Sequence, residues 1–209
     1  MRSRGLLCAA LLIAACVNEP AAPSLSVAPA IAASAVVANS NNVLSATFSV
    51  SVLHADSVAV RFHVEDSGAA TDSLTPAVKT VGESAAIPVL GLLPASRYIL
   101  RAVAFWAGGS VLGDPVELTT GPLPSDLPRY AASGVDPSPG YVVFAAGMYG
   151  LVIDNTGRVV WYRRFPNGPG LSFMAEPNGH YVARPTTPVP TDVDSWVELD
   201  PLGNITRTL

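Results

Sequence analysis

From Val43 onward the chain alternates. Leu44, Ala46, Phe48, Val50 and Val52 occupy every second position, with Ser45, Thr47, Ser49 and Ser51 between them. Side chains of an extended strand point to opposite faces in turn. This spacing therefore marks a strand with one face in a core and the other in water, and it does not suit a helix, whose apolar positions recur every three or four residues. Val58, Val60, Phe62 and Val64 repeat the pattern against Ala59, Arg61, His63 and Glu65, and His54-Ala55-Asp56-Ser57 makes the turn between the two runs. With no amphipathic helical spacing in this region, the expected fold class is all-β.

The N-terminus reads as an export signal. Arg2 and Arg4 give a short positive start, and Leu6 to Ile13 an apolar stretch of signal length, too short to span a bilayer as a helix. Ile13-Ala14-Ala15-Cys16 then forms a lipobox, with small side chains that let a peptidase approach the backbone and a thiol that takes the lipid. Residues 1–15 are expected to leave, and Cys16 to anchor the mature chain in the membrane. The plainer alternative is an ordinary signal cleaved near Ala22. With Val17 in place of an aspartate, the chain resembles a lipoprotein sent on to the outer membrane if the cell is Gram-negative. The chain has two cysteines, Cys8 and Cys16. One leaves and the other is acylated, so no disulfide is expected and packing has to carry stability. The net charge is −4, with no basic run, which argues against a nucleic-acid partner.

Residues 16–42, rich in Ala, Pro and Ser, read as a tether, with a first edge strand possible within 25–37. Leu92-Leu93-Pro94-Ala95-Ser96-Arg97-Tyr98 leads into Leu100, Ala102 and Ala104 at alternate positions. A proline-marked corner before a tyrosine at a strand start matches the tyrosine corner of immunoglobulin-like sandwiches, its ring in the core and its hydroxyl on nearby backbone. Ala107-Gly108-Gly109-Ser110 is a hairpin turn, and Pro115 to Thr120 a last strand. Residues 25–121 thus resemble a fibronectin type III domain, with Phe48 where that family usually carries tryptophan. The sandwich is assigned to 43–121. Residues 122–139, with Pro122, Pro124, Pro128, Pro137 and Pro139, read as a hinge.

The remainder, 140–209, contains a repeat. Gly150 to Trp161 and Trp196 to Arg207 both read as apolar strand, Asp, two residues, Gly, polar residue, strand, and Asp200 and Gly203 lie 46 residues after Asp154 and Gly157. Each is a hairpin in which the aspartate accepts backbone N–H bonds and the glycine takes positive φ. Between them lie Leu171 to Ala175, the Asn178-Gly179 turn and His180 to Arg184. Candidate strands at 158–163, 171–175, 180–184 and 196–199 suggest one blade of a β-propeller, the alternative being a meander of generic hairpins. Gly140 to Phe144, the Asp154 to Trp161 hairpin, Glu176-Pro177-Asn178-Gly179-His180 and Glu198-Leu199-Asp200 to Gly203-Asn204 resemble the start of the propeller in bacterial arylsulfate sulfotransferases, which also place a small β-sandwich in front. The resemblance implies sulfuryl transfer from an aryl sulfate to a phenol through a histidine, with further histidines and an arginine supporting the charge. Residues 140–209 hold about one and a half blades, whereas a closed propeller uses at least four, so the expectation is an N-terminal fragment, inactive by itself.

No catalytic, cofactor-binding or metal residue is assigned here. His54 falls in a turn, His63 on a polar strand face, and His180 after the Asn-Gly turn at a strand start. Glu65/Asp66 and Asp192/Asp194 read as solvated loop charges rather than cation ligands, and Trp161 and Trp196 as blade core. The expected architecture is an immunoglobulin-like β-sandwich followed by an incomplete β-propeller. A non-catalytic surface-binding or scaffold lipoprotein is the alternative function, and a truncated product without function a third.

Overall fold

The computed structural model describes residues 27–65, 72–131, 133, 138–186 and 195–208, and among them all regular elements are β-strands, with no α-helix. The first half holds β1 (Ala30–Ala38), β2 (Ser45–Leu53), β3 (Ser57–Val64), β4 (Ser73–Leu74), β5 (Val78–Lys79), β6 (Ser84–Leu90), β7 (Arg97–Trp106), β8 (Gly109–Leu112) and β9 (Val116–Thr119). One antiparallel sheet runs β1-β2-β6. In the other, β3 and β7 lie side by side, with β4 and β5 beyond β3 and β8 and β9 beyond β7. The expected edge strand is β1, pairing along β2 from Ala30 opposite Leu53 to Ala38 opposite Ala46.

The alternation decides how these sheets face each other. Phe48, Val50 and Val52 from β2 and Ile87 and Val89 from β6 meet Val58, Val60, Leu100, Ala102 and Ala104 across one shared core, while Ser49 and Ser51 face outward. Each buried Val, Leu, Ile or Phe side chain among them is worth about 1.5–3 kcal/mol. Phe48 is fully buried, so it does fill core. The His54–Asp56 turn carries the chain from one sheet to the other rather than closing a hairpin, since β2 and β3 are not paired. His54 sits there at φ 58, exposed.

The corner before β7 is tied down from two sides. Tyr98 is buried, and its hydroxyl accepts the Leu93 N–H at 2.7 Å. Burial pushes the phenol above its usual range, so it stays protonated. Thr120, just after β9, donates its hydroxyl to the Leu93 carbonyl at 2.6 Å and accepts the Ser96 N–H at 2.9 Å. The loop therefore has its backbone groups paired although it lies outside any ladder.

The second half holds β10 (Tyr141–Ala146), β11 (Tyr149–Asp154), β12 (Val159–Arg164), β13 (Phe173–Ala175), β14 (Tyr181–Ala183), β15 (Val197–Leu199) and β16 (Ile205–Thr208). Two antiparallel sheets form, β10-β11-β12 and β13-β14-β15-β16. This differs from the sequence expectation, which grouped the strands between 158 and 199 as one unit. β12 pairs with β11 alone, and the four-stranded sheet begins at Phe173. The reason lies between them. Gly168 and Gly170 turn at φ 86 and 73, and a Cβ on Gly170 would collide with the Arg184 carbonyl. The chain thereby leaves the plane of the first sheet and lays Phe173 on the face of β11, over Gly150, instead of pairing at an edge.

The β10-β11-β12 sheet is covered on both faces. On one side Val152, Trp161, Phe165 and Phe173 pack with Ala183, Val197 and Leu199 of the four-stranded sheet. On the other, Tyr149, Leu151 and Tyr162 pack with Leu44 and Leu127, joined by Val43 and Leu123. The Val43 N–H donates to the Tyr162 hydroxyl at 3.0 Å, and the Asn39 side-chain amide to the Leu202 carbonyl at 2.7 Å. Residues 122–131 form no strand, but Leu127 is buried and Asp126 accepts the Tyr149 hydroxyl at 2.6 Å. That stretch of the expected hinge is a strap between the halves, while Pro137 lies outside the described residues.

Two measurements follow from this packing. Tyr98→Phe keeps the ring but strands the Leu93 N–H, so the urea midpoint should fall by the equivalent of about 1–3 kcal/mol; an unchanged midpoint removes the corner as a stabilising element. A Cβ on Gly150 would lie 2.7 Å from the Phe173 ring. Gly150→Ala should cost about 1–3 kcal/mol, and adding Phe173→Leu should cost less than the sum of the single changes, because the clash is then gone.

Candidate functional site

The repeat is a physical unit. At Asp154 the main-chain N–H bonds the Arg158 carbonyl at 2.9 Å and the Gly157 N–H returns to the Asp154 carbonyl at 3.0 Å. Asp200, Asn204 and Gly203 make the same pair, both at 2.9 Å. In each turn one carboxylate oxygen accepts two backbone N–H groups, from Thr156 and Arg158 at 3.0 and 3.1 Å, and from Leu202 and Asn204 at 2.9 Å. The glycines sit at φ 86 and 83, where a side chain would be strained.

A third copy was not read from the sequence. Glu176 and His180 exchange the same ladder bond at 2.8 Å, Gly179 returns to Glu176 at 3.0 Å, and φ at Gly179 is 83. Glu176-Pro177-Asn178-Gly179 lines up with Asp200-Pro201-Leu202-Gly203, a signal visible in the residues. It was hidden because the capping oxygen moves from the first residue to Asn178, whose side chain accepts the His180 N–H at 2.9 Å.

These turns border an aromatic wall. Trp161 and Phe173 are stacked at 5.7 Å, Phe173 and Tyr181 at 5.4 Å, and Trp161 and Tyr181 lie 4.3 Å apart. The Trp161 indole N–H donates to the Pro201 carbonyl at 2.8 Å, clamping the first sheet to the last turn of the second. A shallow groove of about 290 Å³ opens beside Trp161 and Tyr181, with Tyr141, Arg158 and Leu90 on its rim. Trp161 is core, as expected; Trp196, expected there too, is only half-buried, just before β15.

The histidines are placed individually. The Nδ1 of His180 lies 2.7 Å from Glu198 on β15, and the Asn178 amide donates to the same carboxylate oxygen at 3.2 Å. A carboxylate accepts only, so Nδ1 carries the proton in this contact. His63 makes a similar pair with Asp72 at 2.7 Å, with Arg61 on the other oxygen at 3.8 Å. Neither carboxylate partner was singled out in the sequence, because each comes from a separate segment whose register fixes it.

Glu65 pairs with Arg97 at 3.1 Å, in keeping with a surface charge. Asp66, Asp192, Asp194 and the whole lipobox, Ile13, Ala14, Ala15 and Cys16, lie outside the described residues. Among the described residues no three His, Cys, Asp or Glu side chains gather as metal ligands, and no helix is long and apolar enough to cross a membrane. No protein-family profile matches the chain, and no curated protein sequence matches it.

The Asp154 turn has a pH signature. The Thr156 hydroxyl first, then Arg158 and the two backbone N–H groups, hold its carboxyl down at about 2. A carboxyl lowered in the folded state stabilises above its unfolded value and loses that contribution as pH falls through the folded value. The melting temperature of Asp154→Asn should therefore lie below that of the unchanged chain at pH 7. The gap should close between about pH 4 and 2. A gap that stays constant with pH would assign the effect to shape rather than charge.

Proposed function

We propose that the chain is the N-terminal part of an exported, lipid-anchored protein of the arylsulfate sulfotransferase type, with an immunoglobulin-like sandwich of the fibronectin type III kind ahead of the first blades of a β-propeller. The observation that carries this reading is the hairpin repeated at 46 residues with the same backbone and carboxylate bonds, once at the end of a three-stranded sheet and once at the end of a four-stranded one. Recurring four-stranded antiparallel units stacked face to face are how propellers are built. The strand orders β1-β2-β6 and β3-β7-β9, with the Tyr98 corner, support the sandwich assignment.

In this reading the membrane is a partner through lipid on Cys16, and aryl sulfate and phenol are substrates of a several-bladed form. No catalytic residue is assigned to the present chain. A non-catalytic binding or scaffold lipoprotein is the second reading. It is favoured by the commitment of His63 and His180 to carboxylates and of His54 to an exposed turn.

Two experiments test the proposal. Reading the gene through the Leu209 codon should reveal further Asp-x-x-Gly hairpins near the same spacing, with histidines and an arginine on strands lining the channel; a stop codon there ends the sulfotransferase reading and leaves the scaffold. Metabolic labelling with an alkyne fatty acid should mark the chain, and Cys16→Ser should abolish the label. Persistent labelling of that variant would remove the lipobox.

A further inference from the structure

The outward face of the β3-β7 sheet carries an unusual pairing. Arg61 on β3 stands directly opposite Arg101 on β7. Like charges at opposed ladder positions destabilise a sheet. Two positions further along the same face the charges are balanced, since Arg97 reaches Glu65 at 3.1 Å and Glu117 at 2.7 Å. Asp72 serves both Arg61 and His63, whereas Arg101, half-buried, has no carboxylate partner among the described residues. Arg61, His63, Asp72 and Arg101 border a cavity of about 220 Å³ whose remaining walls are Ile99 and Leu112. Counting His63 as neutral, its side chains sum to one positive charge on a chain of net charge −4.

We infer that this cavity is a binding site for a small organic oxyanion with an apolar body no larger than one ring. The two guanidinium groups supply forked donors suited to a carboxylate, sulfate ester or phosphate ester head. Ile99 and Leu112 offer the apolar body a surface. The volume sets the size limit, because pockets for drug-sized ligands start at about 300 Å³. An anion between the arginines would also relieve the cross-strand repulsion that the ladder otherwise keeps. All the residues belong to the sandwich, so the inference stands apart from the proposal about the second half.

The test is titration of the purified full-length chain with phenyl phosphate, followed by saturation-transfer NMR, with inorganic phosphate and benzyl alcohol as head-only and body-only probes. Phenyl phosphate should bind at least about tenfold more tightly than either probe. Arg101→Gln should weaken it by about tenfold or more, and Arg101→Lys should recover only part of the loss, because the fork is missing. Without ligand, Arg101→Gln should leave the melting temperature unchanged or raise it, which also checks that the variant folds. Equal binding by Arg101→Gln and the unchanged chain, or no binding at millimolar phenyl phosphate, overturns the site. So does a lower melting temperature for ligand-free Arg101→Gln, since Arg101 would then be satisfied within the protein. Inorganic phosphate matching phenyl phosphate overturns the apolar half of the assignment.

Discussion

The organisation of this molecule depends on the burial of β11 from both sides. Tyr149, Gly150, Leu151 and Val152 are buried in succession, so neither face of β11 is left to water there. A three-stranded sheet with two apolar faces cannot stand alone, and one two-sided requirement orders the rest. One face recruits the four-stranded sheet through Phe173, and the other recruits Leu44 and Leu127. The sandwich and the second half are therefore coupled through a small apolar cluster, with the Tyr162 hydroxyl on the Val43 backbone fixing its register.

The second constraint is conservation of turn geometry under changing side chains. Three hairpins share one bonding scheme, yet the capping oxygen comes from Asp154, Asp200 or Asn178. What stays the same is the positive-φ glycine and a side-chain oxygen on the N–H of the residue that follows it. The Asp154 turn adds Thr156 and Arg158 on the carboxylate, so it is the most charge-dependent of the three.

Much of the fold was legible because alternation is a local property. The faces of β2 and β3, the Tyr98 corner and the two Asp-x-x-Gly turns all follow from residues close in sequence. What was not legible was long-range. Nothing local to 158–163 tells that strand to stop pairing and let Phe173 cross over Gly150, 23 positions earlier. The partners Asp72 and Glu198 were missed for the same reason, since each meets its histidine through the register of separate strands. The Pro-rich stretch at 122–131 was read as a hinge from composition, and composition does not reveal that Leu127 has a pocket to fill.

The same distinction separates the parts of the molecule that hold it together from the parts free to do something else. The tyrosine hydroxyls are committed to structural bonds, Tyr98 within its own corner and Tyr149 and Tyr162 to groups of other segments. Arg101 has no such obligation among the described residues. On charge alone a half-buried guanidinium opposite another arginine works against folding, because its ladder neighbour repels it. Selection for stability alone would favour a neutral residue there. A cation kept at such a position is most simply explained by an anion that comes from outside the fold.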